Sequence, residues 1–408
     1  MPPSLSPVSV TGLGLISPLG NQVESAWQAL LQGHTGIAPL IMDGAPAVPA
    51  ARCDFTPGDW LSKLQLVGTE RVSQMAYAAA CEAVKDAGLA PFGQSTRVGI
   101  YLGTGMGGAA TLDAGYAALH ANTRIPPLTV PTGMVSAAAG IVAMHLEIGG
   151  PVLTYSVACA SAAAAIAEAA HALRRGDIDV ALAGGVEAPL ARGTLHAWNA
   201  LQVLAKPQGD AALSSLPFDA RRNGLVLGEG ACLMVLERAE DAASRGRRVY
   251  AQLAGGAVQC DARHLTKPHV EGQVSVMTAA LRSAGLRPAD VGYCNAHGTA
   301  TPVGDPVECE ALRRVWEDDV HDLHLSSTKA AHGHLLGASG ALEAAWTVLA
   351  LRDRMVPPTA TLHDVDPQCL GPDHVLGKGR EVPSLRHAIS NSFAFGGTNV
   401  TLVFSTAH

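Results

Sequence analysis

Apolar residues along this chain fall into two alternating textures. Runs rich in β-branched and small apolar residues predict strands at Val8 to Ile16, Val98 to Gly103, Pro151 to Val157, Val180 to Ala183, Cys232 to Glu237, Arg248 to Ala257, His387 to Ser392 and Val400 to Phe404. Between them, amphipathic and Ala-rich stretches predict helices at Glu24 to Gln32, Glu70 to Ala87, Ser161 to Arg175 and Val274 to Ala284. Gly33, Gly88, Gly176 and Gly285 stand where these helices should stop. The alternation predicts an α/β fold with helix-covered sheets. A boundary is expected near Arg245-Gly246-Arg247, after a charged helical run. The two sides echo each other: Ser156 to Ser161 opens a small-residue helix in the first, and Gly333 to Gly340 opens one in the second.

Composition sharpens this picture. At 408 residues the chain is long enough for two or three domains or one two-lobed unit. Hydrophobic residues make up 48% but aromatics only 4%, so the core must rely on close approach of small residues. A net charge of −7 offers no basic field for nucleic acid. The eight cysteines include no C-x-x-C pair, so no disulfide framework, zinc site or other metal site is expected. Met1-Pro2-Pro3-Ser4 lacks the basic and apolar regions of a signal peptide. The Ala-rich windows are interrupted by His145, Glu147, Glu168 and His171, which argues against a membrane span. The expectation is a soluble, cytoplasmic protein in a reducing compartment.

The chemistry begins at Thr154-Tyr155-Ser156-Val157-Ala158-Cys159-Ala160-Ser161-Ala162. A predicted strand ends there and a helix starts at once. A thiol at a helix N-terminus meets unpaired N–H groups and a positive dipole end, which favour thiolate. Cys159 is therefore a candidate nucleophile, although a buried cysteine is also a common core residue. Three further segments lie at strand–loop or loop–helix junctions. They are Asn295-Ala296-His297-Gly298-Thr299-Ala300-Thr301, the run Ser326 to His334 with Lys329, and Asn391 to Asn399 with Phe395-Gly396-Gly397. Singly, each also reads as a surface histidine, a solvated lysine or a glycine turn. Together they supply a nucleophile, proton or anion partners, and backbone N–H groups for an oxyanion, which are the parts of acyl transfer.

In this order the motifs resemble those of the β-ketoacyl-acyl carrier protein synthases of the elongating, II type, which belong to the thiolase superfamily. The match runs from Val10-Thr11-Gly12-Leu13-Gly14 to Asn399 and includes Pro217 to Gly224 and Gly228-Glu229-Gly230. The resemblance implies a thiolase-like fold of two duplicated βαβαβαββ halves, residues 1–246 and 247–408, forming a five-layered αβαβα sandwich. It implies decarboxylative Claisen condensation of a malonyl-carrier protein with an acyl chain on Cys159, with no cofactor. His297 and His334 would donate hydrogen bonds to the enolate, and the backbone N–H groups of Cys159 and Phe395 would form the second oxyanion hole. Lys329 would help keep His334 neutral, with Glu308 and Glu343 as its structural support. Thr299 and Thr301 would meet the pantetheine arm or malonyl group, Phe393 would contact substrate, and Phe395 would act as a gate.

The implied partners are an acyl carrier protein bearing its phosphopantetheine, and a second subunit in a homodimer or a heterodimer with a related chain. Lys63, Arg71 and Arg124 are candidate basic contacts for the carrier. Fatty-acid-type elongation is the leading reading. A specialised ketosynthase of a type II polyketide or aryl polyene pathway is the alternative. A non-catalytic chain-length partner would lack the nucleophile. Thiolases and starter-type synthases carry Cys-His-Cys or Cys-His-Asn sets where this chain has two histidines.

The chain also departs from the pattern. Leu225 stands where Phe is usual, Ala394 replaces a Gly beside Phe395, and Thr129 stands where an aromatic would reach the partner's acyl pocket. A Cβ at Ala394 is expected to restrict positive φ and slow the gate. With flexible Met106 at the pocket end, these residues predict a roomier pocket and a longer or different acyl chain.

Overall fold

The computed structural model describes residues 7–207 and 209–407, so the tetrapeptide Met1 to Ser4 lies outside the described residues. Eleven strands form one sheet. They are β1 (Val8–Ile16), β2 (Val98–Gly103), β3 (Val152–Tyr155), β4 (Val180–Glu187), β5 (Gly230–Arg238), β6 (Ala251–Cys260), β7 (Tyr293–Asn295), β8 (His324–Ser326), β9 (Asp373–His374), β10 (His387–Phe393) and β11 (Thr398–Thr406). Six helices matter here: α1 (Arg71–Asp86), α2 (Ala137–Leu146), α3 (Ser161–Arg175), α4 (Val270–Ala284), α5 (Gly304–Trp316) and α6 (Ser339–Asp353).

The strand order carries an internal repeat. The first half runs β3-β2-β4-β5-β1 across the sheet, and the second runs β8-β7-β10-β11-β6. With the two-residue edge strand β9 set aside, each is the order third, second, fourth, fifth, first. The senses also match: β2 is parallel to β3 and β4, as β7 is to β8 and β10. The later pairs β4–β5 and β5–β1, like β10–β11 and β11–β6, are antiparallel. The two sets join where Val8 to Val10 of β1 pairs with Ala251 to Leu253 of β6.

Layering follows from the side-chain alternation of strands. Val98, Ile100 and Leu102 of β2 point to an outer core shared with α1 and α2. Tyr101 points the other way, into a central core built from α3 and α6. Leu325, Ile389 and Val403 face a third core with α4 and α5. Helices therefore cover both outer faces, and α3 and α6 fill the middle, giving a five-layered αβαβα sandwich. Strands buried on both faces read as continuous apolar runs, which is why they were legible in the sequence.

The small-residue composition has its explanation in the middle layer. Between Ser161 and Leu173, α3 buries eight alanines, and α6 is buried from Ser339 to Leu351. A Cβ on Gly340 of α6 would stand 3.0 Å from the Cβ of Ala163 in α3. Helices this close leave no room for larger side chains.

Candidate active site

The two central helices begin in the same way. A 3₁₀ turn, Ala158–Ala160, leads into α3, and another, Leu336–Ala338, leads into α6. Ala158 has φ 50° and Leu336 φ 45°, left-handed values uncommon for residues with a Cβ. The first turn aims Cys159 at the second half of the molecule. Its Sγ lies 3.1 Å from Nε2 of His334. The donor atoms of Cys159, His297 and His334 all lie within 4.8 Å of one another, and the two imidazoles meet edge to face at 5.5 Å. Among the described residues this is the one Cys/His/acid group with donors converged enough to consider a metal ion.

Backbone and carboxylate contacts hold each histidine. His334 donates its N–H to Val226 O at 2.6 Å, its carbonyl accepts from Gly228 N, and its Nδ1 lies 2.9 Å from Ser339 Oγ. The loop of His297 follows β7. Glu308 of α5 accepts from His297 N at 2.9 Å and Gly298 N at 2.8 Å, and Asn391 Nδ2 donates to the same carboxylate at 3.3 Å. His297 Nδ1 itself is buried without a hydrogen-bond partner among the described residues.

Electrostatics set the resting state. Burial pushes the Cys159 thiol up to about 11, against lowering by Lys329 and by the backbone N–H groups of Phe395 and of Cys159 itself. That rise is worth about 3 kcal/mol against the thiolate. A helix end returns about 1 kcal/mol in its favour. Burial outweighs the pull of the helix start towards thiolate. Burial and the Lys329 charge also hold His297 and His334 well below the usual imidazole range. Burial depresses His332 to about 3. Lys329 does not reach the cavity. It is fully buried behind the histidines and ion-paired with Glu343. Burial raises the Glu343 carboxyl, an effect the Lys329 charge opposes.

A cavity of about 350 Å³ opens over this group. Cys159, His297, His334, Thr299, Thr301, Phe393, Phe395, Leu225 and Glu308 all line it. The Thr299 and Thr301 hydroxyls lie 3.2 Å apart. Met106 does not line the cavity. It packs in the apolar cluster that holds Leu225 and Leu336, with its N–H on Glu187. Thr129 lies away from the cavity, on the short helix Thr129–Gly133, with its hydroxyl on Pro126 O at 2.7 Å.

Two further expectations change. Ala394 has φ −105° and ψ 154°, extended backbone open to any residue, so its Cβ imposes no restriction in this conformation. The positive φ falls on Gly396 (85°) and Gly397 (80°) instead. Arg71 is no free landing site for a partner. Its guanidinium forks onto the buried Glu229 at 2.9 and 2.6 Å and donates to Cys53 O. Lys63 and Arg124 are exposed. Near the cavity mouth, Lys267 and Lys206 are exposed cations that sequence reasoning passed over.

Sequence reasoning also missed three residues inside. Glu187, fully buried at the end of β4, accepts from Thr104 Oγ1, Gly105 N, Met106 N and Gly337 N at 2.6 to 3.0 Å. It ties the loop after β2 to the turn before α6. Trp198 stacks on Phe395 with ring centroids 6.4 Å apart. Ser339 holds the His334 ring. A glutamate after a strand, a tryptophan on a surface helix and a serine at a helix start carry no local signal of these contacts.

The model described as beta-ketoacyl synthase, N-terminal domain, matches residues 5–242, and the C-terminal domain model matches residues 250–363. The chain belongs to the β-ketoacyl synthase family. It is 38% identical over 407 residues to 3-oxoacyl-[acyl-carrier-protein] synthase 2 of Coxiella burnetii, covering 98% of each chain. It is 40% identical over 404 residues to nodulation protein E of Rhizobium meliloti, covering 97% of this chain and 98% of that one. The solved ishigamide ketosynthase/chain length factor superposes with a TM-score of 0.92 at 30% identity, over 99% of this chain and 100% of that one. Family and likeness agree with the thiolase-like architecture described above.

Proposed function

We propose that this chain is a 3-oxoacyl-acyl carrier protein synthase, an acyltransferase that extends a Cys-bound acyl chain by decarboxylative condensation. The observation that carries the reading is the Cys159 sulfur 3.1 Å from His334 Nε2, at the head of a buried helix and beneath two backbone N–H groups. In acyl transfer the sulfur attacks the carrier thioester carbonyl. Its proton passes to His334 Nε2 and leaves with the carrier's thiol. In condensation a malonyl thioester loses CO₂. The resulting enolate oxygen is held by N–H donors of His297 and His334. The enolate carbon attacks the acyl-Cys159 carbonyl, and the tetrahedral oxyanion rests on the N–H groups of Cys159 and Phe395. Collapse forms the β-ketoacyl carrier and expels the Cys159 thiolate, which takes a proton from solvent.

Neutral imidazoles suit this work, because the Lys329 charge opposes their protonation. Glu308 positions the His297 loop, and Glu343 neutralises Lys329. Thr299 and Thr301 receive the pantetheine arm through the open cavity, with Phe393 beside them. Phe395 is the gate, and the functional division of the chain falls at 246/247. The partner is an acyl carrier protein, met by cations such as Lys63, Arg124, Lys206 and Lys267. A second copy of the chain covers the exposed edge strand β3 and the apolar Leu112, Tyr116 and Met134. Thr129 then faces the partner's acyl pocket, with Leu225 in the wall and Met106 packed behind it. The eight free cysteines support a reducing, cytoplasmic setting.

The test is incubation with malonyl-carrier protein and a panel of acyl-carrier proteins, with products weighed by intact mass. Each accepted chain should gain two carbons and a β-ketone. T129F should shorten the longest accepted chain; an unmoved limit overturns the pocket assignment. No extension of any chain overturns the function.

A further inference from the structure

The two half-reactions ask opposite things of one nitrogen. In acyl transfer His334 Nε2 must accept the Cys159 proton, so its hydrogen sits on Nδ1. In decarboxylation Nε2 must donate to the enolate oxygen, so Nδ1 is a bare lone pair. Both nitrogens lie in a buried ring, and an unpaired buried polar atom costs more than a hydrogen bond returns. Whatever stands at Nδ1 must therefore accept in one half-reaction and donate in the other. A carboxylate only accepts and a backbone N–H only donates. A hydroxyl does both by turning about its C–O bond.

Ser339 Oγ stands there, 2.9 Å from Nδ1, on a residue with no exposed surface. Its counterpart in the first half shows how this placement differs. Ser161 opens α3 as Ser339 opens α6, but Ser161 accepts from Val157 N at 2.9 Å and donates to Ala158 O at 2.6 Å, closing its own turn. Ser339 directs the same group to an imidazole five residues back. His297 has no such partner at Nδ1. It acts only as a donor to the enolate, and its role needs no exchange of tautomers.

We infer that Ser339 is a positioning residue whose hydroxyl pairs with Nδ1 in either tautomer of His334 and so lets one histidine serve both half-reactions. Between the half-reactions the ring exchanges one N–H hydrogen for the other with solvent in the cavity that His334 lines, with no net gain or loss of protons. This rests on the ketosynthase reading for its chemistry but not for its geometry.

The decisive variants are S339A and S339T, built in the C159A protein so that decarboxylation of malonyl-carrier protein is read without the nucleophile. S339A should lower kcat for decarboxylation about tenfold, the value of one lost hydrogen bond, with KM unchanged. A hydroxyl donating to Nδ1 competes with protonation there, so its loss raises the His334 pKa and moves the acid limb of the profile to higher pH. The groups facing His334 are Cys159, His297, Lys329 and His332, and S339A leaves the three that remain in C159A in place. S339T, which keeps the hydroxyl, should restore the rate to within about twofold and return the limb.

An activity-free readout runs alongside: ¹⁵N shifts of labelled histidines, in which His334 should move on S339A and His297 hold. Unmoved His334 shifts overturn the role of Ser339. So does an equal loss in S339A and S339T with the acid limb unmoved. Moved shifts in a C159A protein that decarboxylates nothing support Ser339 and overturn the ketosynthase reading instead.

Discussion

The turns at the heads of α3 and α6 have nearly the same backbone and different chemistry. Each opens with a residue at positive φ, Ala158 and Leu336, and each runs into a buried fifteen-residue helix. The next position is Cys159 in one and Gly337 in the other. Cys159 faces the cavity with His334 and the Phe395 backbone. Gly337 faces inward, with its N–H on Glu187, where a Cβ would meet Gly105 N at 2.2 Å. The duplicated scaffold thus offers two sites for a side chain at the molecular centre. The first is open and carries the nucleophile. The second is closed by the loop after β2 and becomes part of the wall. Function lies in which turn is filled, while the strand order is shared.

Substitutions at these two turns should therefore part company. The largest effect is expected for C159A, which should abolish condensation while keeping or raising malonyl decarboxylation, as product mass and CO₂ release will tell. Full condensation by C159A would end the comparison. Next are the histidines: H297A and H334A should each lower decarboxylation on the order of 10²- to 10³-fold, as loss of an oxyanion donor does. Only H334A should also slow acylation of Cys159, because only His334 lies against the sulfur. Equal acylation in both variants would contradict that division.

G337A then sharpens the structural side. It should cost about 3 kcal/mol of stability by urea titration, since backbone must shift to admit the methyl, whereas C159A costs less than about 1 kcal/mol. The smallest effect is in pH. His297, His334 and His332 have folded values below their unfolded ones. Stability is full above the unfolded value near pH 6.5 and falls as pH drops towards the depressed folded values, about 3 for His332. Alkylation of Cys159 by iodoacetamide should rise with pH towards about 11. A plateau below pH 8 would mean that the helix end outweighs burial after all.

The sequence was most legible where burial is two-sided. β1 and β2 begin and end where the apolar runs do, and α3 spans the predicted residues. The strand before His297, β7, was harder to read, because it is only Tyr293–Asn295, the three residues that pair with β8 and β10. Cys159, His297, Lys329, His334 and Phe395 stood out because each sits in a run of small residues at an element boundary. Glu187 and Ser339 did not, because their partners lie across the molecule or in another turn: Gly337 is 150 positions from Glu187. Arg71 looked like a surface cation on a helix, and only the fold reveals Glu229 beneath it. Ala394 was misjudged because a motif gives residue identity but not φ. Contacts at long sequence separation and backbone angles are the properties a single chain leaves unwritten.

The central claim is that Cys159 of the filled turn carries the growing chain. Peptide mass after brief exposure to an acyl-carrier protein should place the acyl group on Cys159, and malonyl-carrier protein should then discharge it as a β-ketoacyl carrier with release of CO₂. An acyl group found on another residue, or one that malonyl-carrier protein does not remove, would contradict the account.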